Sequence, residues 1–358
     1  MDIAALPIEV QETAPEAVSP AIPQILNPVP APAQNEKIVT GRVIRSQSGF
    51  FTVETPAGLV TCQISGKIKI DAQRAKQRQG ASRSDLVALN DTVTLELDTA
   101  DKGTIIKVAE RQHVLSRVSR ESTAGTSAES EQIIIANTDQ AIFVFSAANP
   151  SPNPRSIDRF LVCAEKAEIP SIVICINKID LVQREEVEAM FEGYRKIGYQ
   201  VLLVSALTGE GLDGLKTLLS GDPNRVSVFT GPSGVGKSSL LNAMQEGLKL
   251  ETNDVSQATT KGRHTTRFSQ LIKMNDGGYV ADTPGLRTMV PWDVEPDELD
   301  SYFIEMRPYV ETCKFADCSH RHEPGCAICE AVEAGHISEE RYDSYLRLRD
   351  ELEEQYIY

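Results

Sequence analysis

The sequence predicts a multidomain protein. An N-terminal all-β barrel of the oligonucleotide/oligosaccharide-binding (OB) type leads into a central α/β P-loop domain and a C-terminal helical module built around a metal. Three observations carry this reading. Five short alternating runs fall within residues 36–115. Gly231-Pro232-Ser233-Gly234-Val235-Gly236-Lys237-Ser238-Ser239 fits G-x-x-x-x-G-K-[ST] between an apolar run and a helical one. Four of the seven cysteines lie between Cys313 and Cys329.

With 358 residues, 41% of them hydrophobic, the chain has room for two or three domains with real cores. A net charge of −15 argues against a general polyanion binder. No apolar run approaches the ~20 residues of a membrane span. The N-terminus lacks a basic start followed by an apolar core, so the expected location is the cytoplasm. Clustered cysteines without an export signal point to metal and not to disulfides.

Residues 1–35 hold seven prolines, four acids and no Lys or Arg, the composition of a disordered tail. Strands are expected at 38–44, 49–55, 59–64, 91–97 and 102–108. Between the third and fourth lies a basic loop whose span 67–83 holds Lys67, Lys69, Arg74, Lys76, Arg78 and Arg83 against one acid, Asp71. Residues 36–120 carry 14 basic and 9 acidic side chains, a local charge of +5 that fits an RNA-backbone footprint as well as a solvated surface. Residues 112–132, rich in Ser, Thr, Gly and Glu, read as a linker or mobile loop.

From about 133, within an expected domain of 116–295, strands and helices alternate. Residues 140–145 form a strand, and Ser156 caps a helix to Ala167. Residues 172–176 form a buried strand ending on Asn177-Lys178-Ile179-Asp180, which fits N-K-x-D. A helix over 185–197 precedes a strand at 201–204 ending on Ser205-Ala206-Leu207. After the P-loop, a strand to Met274, a turn at 275–278 and Tyr279-Val280-Ala281 form a hairpin ending on Asp282-Thr283-Pro284-Gly285, which fits D-x-x-G.

Each motif has a chemical reason. The glycines admit a phosphate to the backbone, and the helix N-terminus faces it. Lys237 reaches the β- and γ-phosphates, and Ser238 holds Mg²⁺. Asp180 accepts from guanine N1–H and the exocyclic amino group. Adenine offers neither, which is worth selectivity on the order of 10⁴. Asn177 bridges base and P-loop, and the Ala206 N–H meets guanine O6. Asp282 belongs to the Mg²⁺ shell, and the Gly285 N–H senses the γ-phosphate. These are the signatures of a GTPase, but N-K-x-D and S-A precede the P-loop, so the expected domain is circularly permuted. Leu286 stands where Ras-like enzymes carry a water-orienting Gln. His264 is the candidate to orient water, and Thr266 or Thr265 the candidate for Mg²⁺ and γ-phosphate contact.

In the expected module of 296–358, Cys313-x4-Cys318-x-His320-x5-Cys326 fits a closed tetrahedral zinc site, one per chain, with His322 and Cys329 as spare donors. Helices over 298–310 and 338–358 flank it.

Taken together, the barrel, the permuted motifs, the Gly262-Arg263-His264-Thr265-Thr266 loop and the Cys/His cluster resemble the RsgA (YjeQ) family over residues 36–358. The resemblance implies a GTPase that cycles between GTP and GDP, binds the small ribosomal subunit and its 16S-type rRNA late in maturation, and is stimulated by that subunit. It implies no membrane partner and a monomer off the ribosome. Competing readings are an RNA-binding scaffold with a structural nucleotide site and a translation-factor-like GTPase.

Overall fold

The computed structural model describes residues 37–79, 86–123, 126–245, 247–248, 250, 269–282 and 289–356. The barrel comprises β1 (Ile38–Gln47), β2 (Phe50–Thr55), β3 (Gly58–Ile64), helix α1 (Gly66–Gln79), β4 (Thr92–Leu97) and β5 (Lys102–Val108). The strand order is β1-β2-β3-β5-β4, and β4 pairs back onto β1 to close the circle. This is the five-stranded OB arrangement. Alternation does the sorting: Val43, Phe51, Val53, Val60, Cys62, Val93, Leu95 and Ile105 turn inward and form one core.

Two expectations change here. The basic run after β3 is the helix α1 and not a loop, because Lys, Arg, Gln and Ala are good helix formers. The Ser65 hydroxyl also accepts from the Ile68 N–H at 3.4 Å. Lys67, Lys69 and Arg74 are exposed on it, and Arg83 lies outside the described residues. The expected linker is an antiparallel ribbon of β6 (Val114–Thr123) and β7 (Thr126–Ala136). Its base carries Leu115, Ile134 and Ile135 into the main core, and its polar outer part is held by the backbone ladder.

The central domain runs β8 (Gln140–Ser146), α2 (Pro154–Lys166), β9 (Ser171–Asn177), α3 (Arg184–Lys196), β10 (Gln200–Leu203), α4 (Leu212–Leu219), β11 (Val226–Thr230), α5 (Lys237–Met244), β12 (Ser269–Lys273) and β13 (Tyr279–Asp282). Strands β10-β9-β8-β11-β13 are parallel in that order, and β12 is antiparallel to β13. Every residue of β8 and β11 is buried, as central strands covered on both faces require. Ile157, Phe160, Val187 and Phe191 of α2 and α3 cover one face. Leu212, Leu215, Leu240 and Leu241 of α4 and α5 cover the other. The cap of α2 is Asn153, not Ser156. Its side chain accepts from the Arg155 N–H at 3.1 Å, and Pro154 occupies the first helical turn, where a missing N–H costs nothing.

The sheet does not stop at β12. Arg45 and Ser46 of β1 pair antiparallel with Gln270 and Ser269, which makes one sheet of eleven strands. Beside this joint the Tyr279 hydroxyl donates to Glu54 Oε2 at 2.7 Å, and the Arg42 guanidinium sits 4.9 Å from the Tyr279 ring centre.

The C-terminal module holds a 3₁₀ turn (Pro296–Tyr302), α6 (Arg307–Val310), α7 (Ala327–Glu333) and α8 (Glu339–Tyr356). The helix expected over 298–310 is therefore interrupted. Phe303 is extended at φ −98° and ψ 97°, which turns its ring into the core, and Pro308 allows only a fresh start at the first turn of α6. Val162 of α2 belongs to the same core as Phe303, Met306, Ile328 and Tyr345. Buried Arg341 of α8 completes the joint. It donates to Asp158 of α2 and, at 2.6 Å, to Glu305, while the Tyr194 hydroxyl of α3 donates to Asp158 at 2.8 Å. Removing one partner of such a buried pair costs roughly 3–5 kcal/mol, because the other charge stays behind.

Candidate nucleotide site and metal centre

The C-terminal ends of β9, β11 and β13 come together at one edge of the sheet. The loop after β11 wraps tightly. Gly231 has φ +151°, and a Cβ there would lie 2.1 Å from the Val144 carbonyl oxygen of β8. Gly236 caps α5 at φ +93°, and its Cβ would lie 2.4 Å from Asn177 Nδ2. Lys237 is buried, and its Nζ donates to the Gly231 and Pro232 carbonyls at 2.8 Å. Burial pushes its ammonium down to about 8, with Asp282 pulling the other way. Burial also raises the Asp282 carboxyl, and Lys237 opposes that. Ser238 stands half-buried at the first turn of α5.

Asn177 ties the rim together. Its Nδ2 donates to the Val235 carbonyl of the P-loop at 2.9 Å, 58 positions away, and its Oδ1 accepts from the Ala206 N–H at 3.0 Å. Lys178 takes a left-handed backbone, φ 63° and ψ 35°, and reaches the carbonyls of Gly234, at 2.7 Å, and Asn149. Ile179 is buried, whereas Asp180 is exposed. The Ser205 hydroxyl donates to Asp180 Oδ1 at 2.5 Å and accepts from the Thr208 N–H at 3.1 Å. A carboxylate held at one oxygen and open at the rim can accept a paired donor edge. Glycine-loop amides and a helix N-terminus can hold phosphate. The structure thus brings together Asn177–Asp180, Ser205, Ala206, Gly231–Ser239 and Asp282. His264, Thr265, Thr266, Gly285 and Leu286 lie outside the described residues. The carbonyl of Asn149, which receives Lys178, carried no signal in the sequence.

The second cluster gathers Cys313, Cys318, His320 and Cys326, whose donor atoms all lie within 4.8 Å of one another. Tetrahedral thiolates around zinc stand about 3.8 Å apart, so the set fits. His320 Nδ1 lies 3.6 Å from Cys313 Sγ and 3.4 Å from Cys326 Sγ. The spare donors fall aside: His322 is exposed, and the Cys329 thiol faces the His320 carbonyl at 3.4 Å. Glu323 shapes the loop, accepting from the N–H groups of Ser319, Arg321 and His322 at 2.8, 2.9 and 3.0 Å. The Ser319 hydroxyl and these amides hold its carboxyl well below the usual range. Only an acid inside the Cys/His spacing hinted at it.

Comparison with known proteins gives a consistent match. The family described as RsgA GTPase matches residues 108–292. A protein of Gemmatimonas aurantiaca named small ribosomal subunit biogenesis GTPase RsgA is 42% identical, over 87% of this chain and 97% of that protein. One of the same name from Caldanaerobacter subterraneus subsp. tengcongensis is 38% identical, over 88% and 96%. Among solved structures, YjeQ from Thermotoga maritima aligns with a TM-score of 0.65 and 35% identity, over 88% of this chain and 98% of that one. YloQ, described as a circularly permuted GTPase, aligns with a TM-score of 0.61 and 29% identity, over 89% and 96%.

The close approach at Gly231 is testable. Gly231→Ala, clashing with strand backbone, is expected to cost about 2 kcal/mol or more in chemical denaturation. Gly214→Ala, in helix α4 with its nearest neighbour at 3.9 Å, is expected to be neutral or to stabilise by roughly 0.5–1 kcal/mol.

Proposed function

The chain belongs to the RsgA GTPase family and hydrolyses GTP, and we propose that it couples this reaction to late maturation of the small (30S) ribosomal subunit, whose binding activates it. The observation that carries the proposal is the joint between β12 and β1. The hairpin strand beside the one bearing Asp282 is also an edge partner of the barrel that would meet RNA.

In this reading Asp180 takes the guanine edge while Ser205 holds its second oxygen. Asn177 and Lys178 fix the base-reading turn against the P-loop, and the Ala206 N–H meets O6. Backbone amides of Gly231–Ser239 hold the phosphates. Lys237 leaves its own loop carbonyls for the β- and γ-phosphates. Ser238, Thr266 and Asp282 are the residues suited to Mg²⁺, which neutralises developing phosphate charge when bound. Gly285 senses the γ-phosphate, and His264 orients the attacking water. Leucine at 286 cannot hold that water, so in this reading turnover is slow in isolation and the subunit completes the site.

The barrel, 36–115, supplies the RNA footprint. Lys67, Lys69 and Arg74 of α1 are exposed, and Phe50 at the β1–β2 turn is 49% exposed and free to stack on a base. Cys313, Cys318, His320 and Cys326 hold one zinc per chain. With four protein donors it is a closed, structural site. Among the described residues no helix is long and apolar enough to cross a membrane. The protein acts in the cytoplasm as a monomer off the ribosome, and the tail 1–35 has no assigned role.

Two measurements test this reading. GTP turnover should rise by on the order of tenfold or more with small subunits and not with large ones. Equal rates in both and in their absence would favour an RNA-binding scaffold. Second, above about pH 8 the nucleotide-free chain has lost part of the Lys237 charge, and bound phosphate restores it. Guanine nucleotide binding should therefore take up protons there and weaken as pH rises, read by calorimetry in buffers of different ionisation heat. Proton-neutral binding would contradict the role given to Lys237.

A further inference from the structure

We propose that Asp300 is the outer-shell residue that orients His320 as a metal ligand, and that through it the metal cage fastens residues 289–300. The proposal rests on the zinc reading of the Cys/His cluster. His320 is 2% exposed, and its two nitrogens face different partners. Nδ1 points at the Cys313 and Cys326 sulfurs, whereas Nε2 lies 2.9 Å from Asp300 Oδ2. The Asp300 side chain is itself 11% exposed, and Nε2 is its one hydrogen-bond partner among the described residues.

A buried carboxylate without a cation needs an N–H aimed at it. When Nδ1 gives its lone pair to a metal, Nε2 must carry the ring proton, which is the tautomer that donates to Asp300. The carboxylate then fixes the ring plane and makes Nδ1 a better donor. The left-handed backbone of His320, φ 60°, and the Tyr342 hydroxyl donating to its carbonyl at 2.5 Å hold the residue in the same pose.

Asp300 sits at the far end of a short run, residues 289–300. From Met289 onward that run packs by Met289, Val294 and Leu299, each at most 2% exposed, and then enters the 3₁₀ turn that carries Asp300. The bond to His320 pins this end to the cage. Loss of the metal frees the imidazole, and with it the anchor of residues 289–300.

The test uses the full chain loaded with zinc, and in parallel with cobalt(II) as a spectroscopic probe. Asp300→Ala should weaken zinc in chelator competition by roughly 10–100-fold and shift the cobalt d–d bands. Asp300→Asn, which keeps an acceptor at Nε2, should recover much of the affinity. Asp297→Ala is the control, because Asp297 lies in the same turn but pairs with Arg349, and its metal affinity should match the parent. Chelation of the parent and Asp300→Ala should both speed hydrogen exchange over 289–303. A parent chain that binds neither metal overturns the zinc reading. A parent that binds zinc, with Asp300→Ala equal to it in affinity and cobalt spectrum, overturns the role of Asp300 alone.

Discussion

The buried amide of Asn177 is the contact on which the nucleotide site depends. The turn after β9 and the loop after β11 lie 58 positions apart in sequence, so chain connectivity does not align them. One side chain does, donating to Val235 and accepting from the Ala206 N–H. At 1% exposure, neither of its polar ends could be left unpaired cheaply. The surroundings are cut to fit it. Gly236 has no Cβ because Asn177 Nδ2 occupies that space, and Lys178 adds a second tie to the same loop.

Around that rim, two joints tie the barrel and the C-terminal module to the central domain. On one side the barrel extends the central sheet through β1 and β12, reinforced by Tyr279 between Glu54 and Arg42. On the other, Arg341 is buried between Asp158 and Glu305, and Val162 shares the apolar core of the C-terminal module. Both flanking modules therefore rest on elements that also build the GTPase domain. The strand that joins the barrel, β12, lies directly beside the one that ends on Asp282. A movement at the nucleotide has a short path to either surface.

Much of this was legible in the sequence, because the informative signals are local. The barrel strands announce themselves by alternation, and the P-loop, N-K-x-D, S-A and D-x-x-G by residue types that phosphate and guanine require at strand ends. What escaped depends on partners distant in sequence or on backbone alone. The β6–β7 ribbon has a loop-like composition, since its outer half is held by the ladder and its apolar residues gather at the base. Helix α1 lacks a strong apolar stripe and reads as charge. Phe303 breaks its helix for the sake of a core contact, and Asp300 meets His320 twenty positions away. The joint between β1 and β12 has no sequence signature, because any extended edge can pair. The candidates His264 and Thr266 rest on motif position, outside the described residues.

The proposed coupling of hydrolysis to subunit maturation requires that nucleotide state at this rim govern the affinity of the chain for the small subunit. Its most direct test is the equilibrium affinity of the full chain for purified small subunits at one fixed salt concentration, with a non-hydrolysable GTP analogue and with GDP. The account predicts tight binding with the analogue and distinctly weaker binding with GDP. Equal affinity in the two states would contradict it, since hydrolysis would then have nothing to release.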